Sequence, residues 1–220
     1  VPNGWEECGF PVQRQDNADG GKSPRALILS FAGTLSGYAL PGKFLKTLEV
    51  VLESRSDLRS RLTIRFIGNK KTVGLEQIAE FKYPSLVQAV ETVKKDAAIR
   101  LMQESSALIM FNDVAQRRYL PGKIYDYLAV RRPILVFGGG GEIADLVMKL
   151  NAGIVVPTND AVAMEQALDF LAENPNGPPP SSELPSFLAS HTREAMSRRI
   201  VEILDDIHES SSLERSGATD

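Results

Sequence analysis

Short continuous runs of apolar residues alternate along the chain with segments whose apolar positions recur at helical spacing. The continuous runs lie at residues 26–31, 107–111 and 133–137, and residues 62–67, LTIRFI, are a further predicted strand. An unbroken apolar run of this length is typical of a strand that is buried on both faces of a sheet. The segment after the first run, residues 41–54, carries its apolar residues on one stripe, which predicts an amphipathic helix.

The same alternation continues toward the end of the chain. Further predicted elements are helices at residues 73–82, 95–105, 121–130, 142–150, 160–173 and 186–209, a strand at 153–156, and a strand or extended segment at 86–93. Strands and helices that alternate with short connections predict an α/β fold, a Rossmann-like parallel sheet with helices on both faces. Ligands of such folds bind outside the carboxyl ends of the strands. The loops expected at that edge are residues 32–41, 68–73, 112–121 and 138–141.

The chain divides into four predicted segments. Residues 1–24 are polar and rich in glycine and proline, and we expect them to form a linker. The Rossmann-like domain is expected over residues 25–185, followed by one long helix over 186–209. Residues 210–220 are polar and are expected to be disordered.

Composition narrows the class of protein. The chain has 220 residues, of which 43% are hydrophobic and 24% charged, as expected for a globular domain with its own core. A net charge of −3 argues against a surface for nucleic acid. One cysteine and two histidines offer little for a disulfide or a metal site, so we expect no metal and a reducing, cytoplasmic location. No apolar run approaches the roughly 20 residues of a membrane span.

The predicted helix at 121–130 opens with residues that suit an anion. Pro121 stands at a first-turn position where its missing N–H costs nothing, and Gly122 allows a ligand to approach the backbone. The free N–H groups and the dipole of a helix start favour an anion by roughly 0.3–1 kcal/mol. Lys123 adds a positive charge there, and Asp126 lies on roughly the same face. The pair suits a nucleotide, with the cation on phosphate and the carboxylate on ribose hydroxyls, and equally fits a solvated ion pair.

Two glycine-containing loops follow predicted strands. Gly33 and Thr34 come after the first strand, where small residues permit close approach of a ligand or simply form a tight turn. The run from Gly138 to Gly141 fits a phosphate cradle or a flexible turn, and it lacks both the GxGxxG spacing and the GK[ST] ending. Arg117 and Arg118 precede the helix at 121–130 and fit either phosphate contacts or surface charges.

The ordered set of motifs resembles a known family. The segment LPGKIYDYLAVRRPILVF, residues 120–137, resembles the signature helix and strand of GT-B glycosyltransferases of the group 1, family-4-like branch. LSFAGTLSG at residues 29–37 and AGIVVPTND at residues 152–160 are similar to family segments in order and spacing. VPNGWEECGF at residues 1–10 is similar to the segment that joins the two domains of the family. The resemblance extends to about residue 209.

The resemblance implies an enzyme of two Rossmann-like domains, of which this chain is the C-terminal, donor-binding half. The chain begins at Val1 rather than at a methionine, as expected for a truncated or processed N-terminus. The missing N-terminal domain would supply most acceptor contacts, and the helix at 186–209 would return toward it. The implied reaction moves a glycosyl group from a nucleoside-diphosphate sugar to an unknown acceptor, with no metal and no cofactor. This half alone would be inactive, and the enzyme would be cytoplasmic or peripheral to a membrane.

The resemblance also implies roles for individual residues, although it leaves the catalytic residues unknown. Asp126 stands where the family carries a glutamate that holds the ribose hydroxyls. Lys123 and Gly122 at the helix start, with Gly33 and Thr34, would surround the diphosphate. Two positions depart from the family.

The carboxylate that the family carries eight residues before the ribose acid is Arg118 here, and the arginine after the first-strand glycine is Thr34. The diphosphate charge would then be met by Lys123, by Arg117 or Arg118, or by backbone N–H groups.

Three other interpretations compete with a glycosyltransferase half. The departures at Arg118 and Thr34 favour a non-catalytic domain that binds a nucleotide sugar or acts as a scaffold. A nucleotide-sugar epimerase of the same fold would need a catalytic acid and histidine set, for which the chain shows no counterpart. A receiver-like domain would need an acidic pocket at the end of the first strand, which residues 30–32 do not supply.

Overall fold

The structure is a computed structural model that describes residues 4–6, 26–113, 115 and 117–216, with side chains up to residue 208. Most of the linker predicted at 1–24 lies outside the described residues, as do residues 217–220. The central element is a parallel sheet. Its six strands are β1 Leu27–Ala32, β2 Leu62–Ile67, β3 Val87–Val90, β4 Ala107–Phe111, β5 Ile134–Phe137 and β6 Gly153–Val156. The strand order β3-β2-β1-β4-β5-β6 confirms the predicted Rossmann-like fold.

Helices connect the strands and cover both faces of the sheet. They are α1 Gly42–Ser54, α2 Ser56–Arg61, α3 Thr72–Ala79, α4 Lys95–Gln103, α5 Lys123–Val130, α6 Glu142–Lys149, α7 Ala161–Glu173, α8 Leu184–Ser190 and α9 Arg193–Ser216, with a 3-10 turn at Pro84–Leu86. Helix α2 is not predicted by the apolar pattern, because it buries only Leu58. The segment predicted at 86–93 is a short strand at the sheet edge, β3.

Two hydrophobic layers lie on opposite faces of the sheet. Alternate residues of each strand feed the two layers, so Leu135 and Phe137 of β5 face one side while Ile134 and Val136 face the other. The first layer is closed by α1 and α7, and the second by α4, α5, α6 and α8. This burial on both faces explains why β4 and β5 are continuous apolar runs.

The C-terminal region differs from the single helix predicted over 186–209. The structure breaks it into α8 and α9, and Trp5 lies at the break. The Trp5 N–H donates to the carbonyl of His191 at 3.0 Å, and the Arg193 N–H donates to the carbonyl of Trp5 at 2.8 Å. These bonds use backbone groups near the break, so a distant segment of chain ends the helix where the local pattern predicts continuation.

Helix α9 also extends past the predicted end at residue 209, to Ser216, into the tail that the sequence predicts to be disordered. Residues 193–216 contain neither proline nor glycine, so nothing in the sequence stops a helix that has already formed.

Candidate functional site

Strand order reverses between β1 and β4, and the carboxyl ends of these strands meet the start of α5. Tyr127 of α5 is fully buried. Its hydroxyl accepts a hydrogen bond from the Ala32 N–H at 2.8 Å and lies 3.3 Å from the Ala32 carbonyl, to which it can donate. Burial raises the pKa of Tyr127 above its usual value, so the hydroxyl keeps its proton. Tyr127 therefore fixes α5 over the end of β1.

Lys123 is the first residue of α5, the helix that the Tyr127 contact joins to the end of β1. Its Nζ is 4.0 Å from the centroid of the Phe31 ring, at the end of β1. The same ammonium lies so close to Gly33 that a Cβ added there would be 2.7 Å from it. Gly33 also has a φ of +138°, which L side chains rarely adopt. The backbone thus favours glycine at residue 33, and a side chain there would also displace the lysine ammonium.

The charge of Lys123 has no carboxylate partner among the described residues, so the alternative of a solvated ion pair with Asp126 is not what the structure shows. Burial lowers the pKa of Lys123 from 10.5 to about 8. The Phe31 ring offers only partial compensation, because a cation–π contact is worth about 0.5–2 kcal/mol. A half-buried cation in this state favours an anionic ligand.

Backbone N–H groups add to the same anion-binding point. Helix α5 begins at Lys123, two residues after the predicted start, but a tight turn precedes it. The Ile124 N–H donates to the Pro121 carbonyl at 3.0 Å, and the Tyr125 N–H donates to the Gly122 carbonyl at 3.2 Å. The N–H groups of Gly122 and Lys123 have no acceptor within the described part of the chain. They are therefore free to donate to an anion.

Asp126 lies in a second polar environment beside the first. Its carboxylate is half-buried and accepts no hydrogen bond from any residue the structure describes. Burial raises its pKa, the charges of Lys95 and Arg193 lower it, and the charge of Glu6 raises it. The spacing of Lys123 and Asp126 along α5 is as predicted, but the two side chains face different neighbours. The geometry leaves Asp126 as an open acceptor next to a cation site.

Thr34 and Arg118 are exposed, and neither side chain makes a hydrogen bond or ion pair with another described residue. The structure brings Gly33, Gly122 and Lys123 together, but no contact joins Thr34 or Arg118 to them. The roles of Thr34 and Arg118 remain predictions.

The glycine loop at 138–141 packs against the end of β4. The Asn112 Nδ2 donates to the Gly139 carbonyl at 2.6 Å, and a Cβ at Gly138 would lie 1.8 Å from the Asn112 carbonyl oxygen. The Glu142 N–H, the first of α6, donates to the Arg117 carbonyl at 2.8 Å. Close backbone packing thus explains glycine at residues 138 and 141, whereas a Cβ at Gly139 or Gly140 would meet open space.

Several residues that shape the site are not recognised from the sequence. Phe31 and Tyr127 look like ordinary core residues, and only the position of Tyr127 directly after Asp126 distinguishes it. Glu6 and Arg193 are distant from Asp126 in the sequence, and no local spacing links them. They meet because Trp5 is hydrogen-bonded at the start of α9.

Neither a metal-binding cluster nor a membrane-spanning helix is found among the described residues. The described part of the chain holds no group of three or more His, Cys, Asp or Glu side chains that could bind a metal ion. None of its helices is both long and apolar enough to cross a membrane.

Comparison with known proteins gives a family and a fold. A family model described as Glycosyl transferases group 1 matches residues 30–174. The fold is similar to that of an α,α-trehalose-phosphate synthase (UDP-forming) from Burkholderia vietnamiensis, with a TM-score of 0.64 and 14% identity over 86% of this chain and 45% of that chain. A comparison with curated proteins gave no match.

Two further solved structures share the fold. A trehalose-6-phosphate protein from E. coli "bound with UDP-2-fluoro glucose" has a TM-score of 0.58 and 11% identity over 81% of this chain and 44% of that chain. A variant of S. aureus TarM in complex with fondaparinux, α-GlcNAc-glycerol and UDP has a TM-score of 0.58 and 10% identity, over 83% and 36%. The chain thus spans less than half the length of these three solved proteins.

Proposed function

Since the chain belongs to the family of group 1 glycosyl transferases, we propose that it is the donor-binding half of an enzyme that transfers a sugar from a nucleoside-diphosphate sugar to an acceptor. The observation that carries this proposal is the unpaired Lys123 ammonium over Gly33, next to the free N–H groups that begin α5. A diphosphate is the part of such a donor that needs a cation and N–H donors together.

In this proposal the diphosphate lies over Gly33, between the end of β1 and the start of α5. Lys123 approaches it through its ammonium, and the N–H groups of Gly122 and Lys123 donate to its oxygens. A side chain at residue 33 would occupy this space, because its Cβ would already touch the lysine. Thr34 and Arg118, both exposed, are further donors that a bound diphosphate could engage.

Asp126 accepts the ribose hydroxyls in the same proposal. An ionised carboxylate without a hydrogen-bond donor suits a pair of hydroxyl groups, and a charge-assisted hydrogen bond is roughly twice as strong as a neutral one. Burial works against the ionised form, so Lys95 and Arg193 help to keep Asp126 charged and able to accept.

The chemical contribution of this half is stabilisation of the leaving group. When the bond between the sugar and the diphosphate breaks, negative charge grows on the diphosphate oxygens. A positive side chain and oriented N–H groups that are already in place stabilise that charge without reorganisation. We propose that Lys123 and the start of α5 fill this role without a metal ion. The rest of the active site would come from the remaining part of the protein.

Helix α9 supports the proposal that another domain completes the protein. Apolar side chains follow one another along α9 and are 41% to 60% exposed: Ile200, Val201, Ile203, Leu204 and Ile207. A cluster of large apolar residues on one helix is usual where another surface covers it. We propose that the N-terminal half of the enzyme, which this chain does not contain, packs there.

A non-catalytic nucleotide-sugar-binding domain is the second candidate. It is favoured by the exposed Arg118, which stands at the position of a family carboxylate and makes no contact within the described residues. The two candidates share the binding site and differ in turnover. A protein containing the N-terminal half that binds the donor but releases no nucleoside diphosphate over hours, even by slow hydrolysis, would support the second candidate.

Calorimetric titration of the chain with UDP, GDP and their sugar conjugates tests the binding site. We expect saturable binding to one nucleotide series, weakened about tenfold or more by Lys123→Met and by Asp126→Ala, because each removes a charged hydrogen-bonding group. Lys82→Met is the matched control, since Lys82 is a surface lysine paired with Glu53 at 2.8 Å. Absence of saturable binding to every nucleotide would refute the donor site, and equal affinity of wild type and Asp126→Ala would refute the role of Asp126.

A further inference from the structure

Glu6 joins two cations from distant parts of the chain. Its Oε2 accepts from the Lys95 ammonium at 2.6 Å, at the start of α4, and its Oε1 accepts from the Arg193 guanidinium at 2.8 Å, at the start of α9. Each carboxylate oxygen thus holds one cation. Surface ion pairs of this kind contribute little to stability, so the arrangement calls for another explanation.

The backbone holds Glu6 firmly in this position. The neighbouring Trp5 exchanges backbone hydrogen bonds with His191 and Arg193, and its indole N–H donates to the Leu188 carbonyl at 2.9 Å. The backbone next to Glu6 is therefore held by α8 and the start of α9, independently of the ion pairs.

Asp126 is a second anion in the field of these two cations, and its neighbour Tyr125 stacks at 5.5 Å on the ring of His191, two residues before Arg193. The charges of Lys95, Arg193 and Glu6 all act on its carboxyl group, and α4 packs against α5. With Glu6 ionised, the positive charges of Lys95 and Arg193 are balanced by the carboxylates of Glu6 and Asp126. Without the charge on Glu6, these cations would be able to turn toward Asp126, and a cation on its oxygens would compete with ribose hydroxyls.

We propose that Glu6 is a positioning residue of the donor site: it holds Lys95 and Arg193 away from Asp126, and so keeps the Asp126 carboxylate open for the ribose hydroxyls of the nucleotide. This inference rests on the proposed function. It also joins the segment before the Rossmann-like domain to nucleotide recognition, because Glu6 is carried by the residues that pair with the start of α9.

The variant Glu6→Gln removes the charge and keeps the size of the side chain and the bonds of Trp5. The first measurement needs no ligand: the pKa of the Asp126 carboxyl group is followed by NMR in wild type and variant. Glu6 raises that pKa, so we expect it to fall in Glu6→Gln as the two cations turn to Asp126. Glu53→Gln is the matched control, because Glu53 forms a comparable exposed ion pair with Lys82. The control should leave the Asp126 pKa unchanged.

The second measurement compares UDP and GDP with their 2′,3′-dideoxy analogues by calorimetry. For each nucleotide, the dissociation constant of the dideoxy analogue divided by that of the parent nucleotide reports the hydroxyl contacts alone. We expect Glu6→Gln to reduce this ratio about three- to tenfold, a value within the range of one charged hydrogen bond, while Glu53→Gln leaves it as in wild type. A role confined to folding would not alter the ratio.

The outcomes are distinguishable. An unchanged Asp126 pKa in Glu6→Gln overturns the inference. An equal change in affinity for the nucleotide and its dideoxy analogue also overturns it, because Glu6 would then act through net charge on the phosphates. Wild-type protein that binds neither nucleotide refutes the proposed function and this inference with it. Wild-type binding with the same hydroxyl ratio in the variant refutes this inference alone.

Discussion

Replacing Lys123 by methionine should make the free protein more stable and weaken its binding of the nucleotide. The pKa of Lys123 falls from 10.5 to about 8 on folding because the ammonium is buried. A shift of one pKa unit corresponds to about 1.4 kcal/mol, so burial of the charge costs roughly 3 kcal/mol at pH 7, where the folded and unfolded forms are both mostly protonated. The contact with Phe31 returns about 1 kcal/mol. Methionine fills similar space without charge, so we expect a net gain of about 2 kcal/mol.

The gain in the free energy of unfolding should depend on pH. A lysine whose pKa is depressed on folding binds fewer protons folded than unfolded between about pH 8 and pH 10.5, so the stability of the wild type rises across that window. The advantage of Lys123→Met should therefore shrink by roughly 2 kcal/mol between pH 7 and pH 9.5. Urea denaturation of both proteins at the two pH values measures it, with Lys82→Met as the exposed control that shows no gain.

Two results would refute this reasoning. A loss of stability in Lys123→Met at pH 7 would mean that the ammonium has a favourable partner in the free protein. A gain that does not change with pH would mean that packing, not the buried charge, explains it. The predicted combination of higher stability and lost diphosphate binding is typical of a charged group retained for function.

Two further predictions concern the residues that hold Lys123 in place. Gly33→Ala should lower the free energy of unfolding by about 1–2 kcal/mol, because residue 33 has φ +138° and its Cβ would meet the lysine ammonium; urea denaturation measures this, and combining it with Lys123→Met should relieve the steric part. Tyr127→Phe removes the hydroxyl partner of the Ala32 N–H and should cost about 1–3 kcal/mol. It should also weaken nucleotide binding by calorimetry, whereas an unchanged affinity would show that α5 keeps its place without this contact.

The sequence predicts the sheet well because its strands are buried on both faces. Runs such as ALIMF and PILVF contain no polar side chain, and a parallel sheet covered by helices is the arrangement that buries them fully. The same reasoning fails for α2, whose sequence SDLRSR has one buried position and therefore no period to detect. It fails again at the break between α8 and α9, which depends on hydrogen bonds from Trp5, far away in the sequence.

The site, too, has features that the sequence predicts and features that it does not. Lys123, Gly122 and Asp126 are predicted from the spacing of one helix, and Gly33 from its place after a strand. The physical state of Lys123 is not predictable from spacing, because it depends on Phe31 and on burial against the end of β1. The partners of Asp126 are likewise hidden, since Glu6 and Arg193 come from the two ends of the chain. A sequence pattern locates charged residues, while three-dimensional packing decides which of them are paired.

The different surroundings of Lys123 and Asp126 fit the two parts of a nucleoside diphosphate. Lys123 is half-buried and has no carboxylate partner among the described residues, which strengthens its attraction for a diphosphate carrying multiple negative charges. Burial raises the pKa of Asp126 while the charges of Lys95 and Arg193 lower it, and its oxygens accept no hydrogen bond from a described residue, which suits neutral hydroxyls. If the two side chains paired with each other, as their spacing allows, each would satisfy the other and neither would attract a ligand. In the structure Tyr127 ties α5 to Ala32, and the lysine ammonium lies over the Phe31 ring and Gly33 instead. The separation of these two charges on a single helical turn is therefore the structural basis of the proposed donor site.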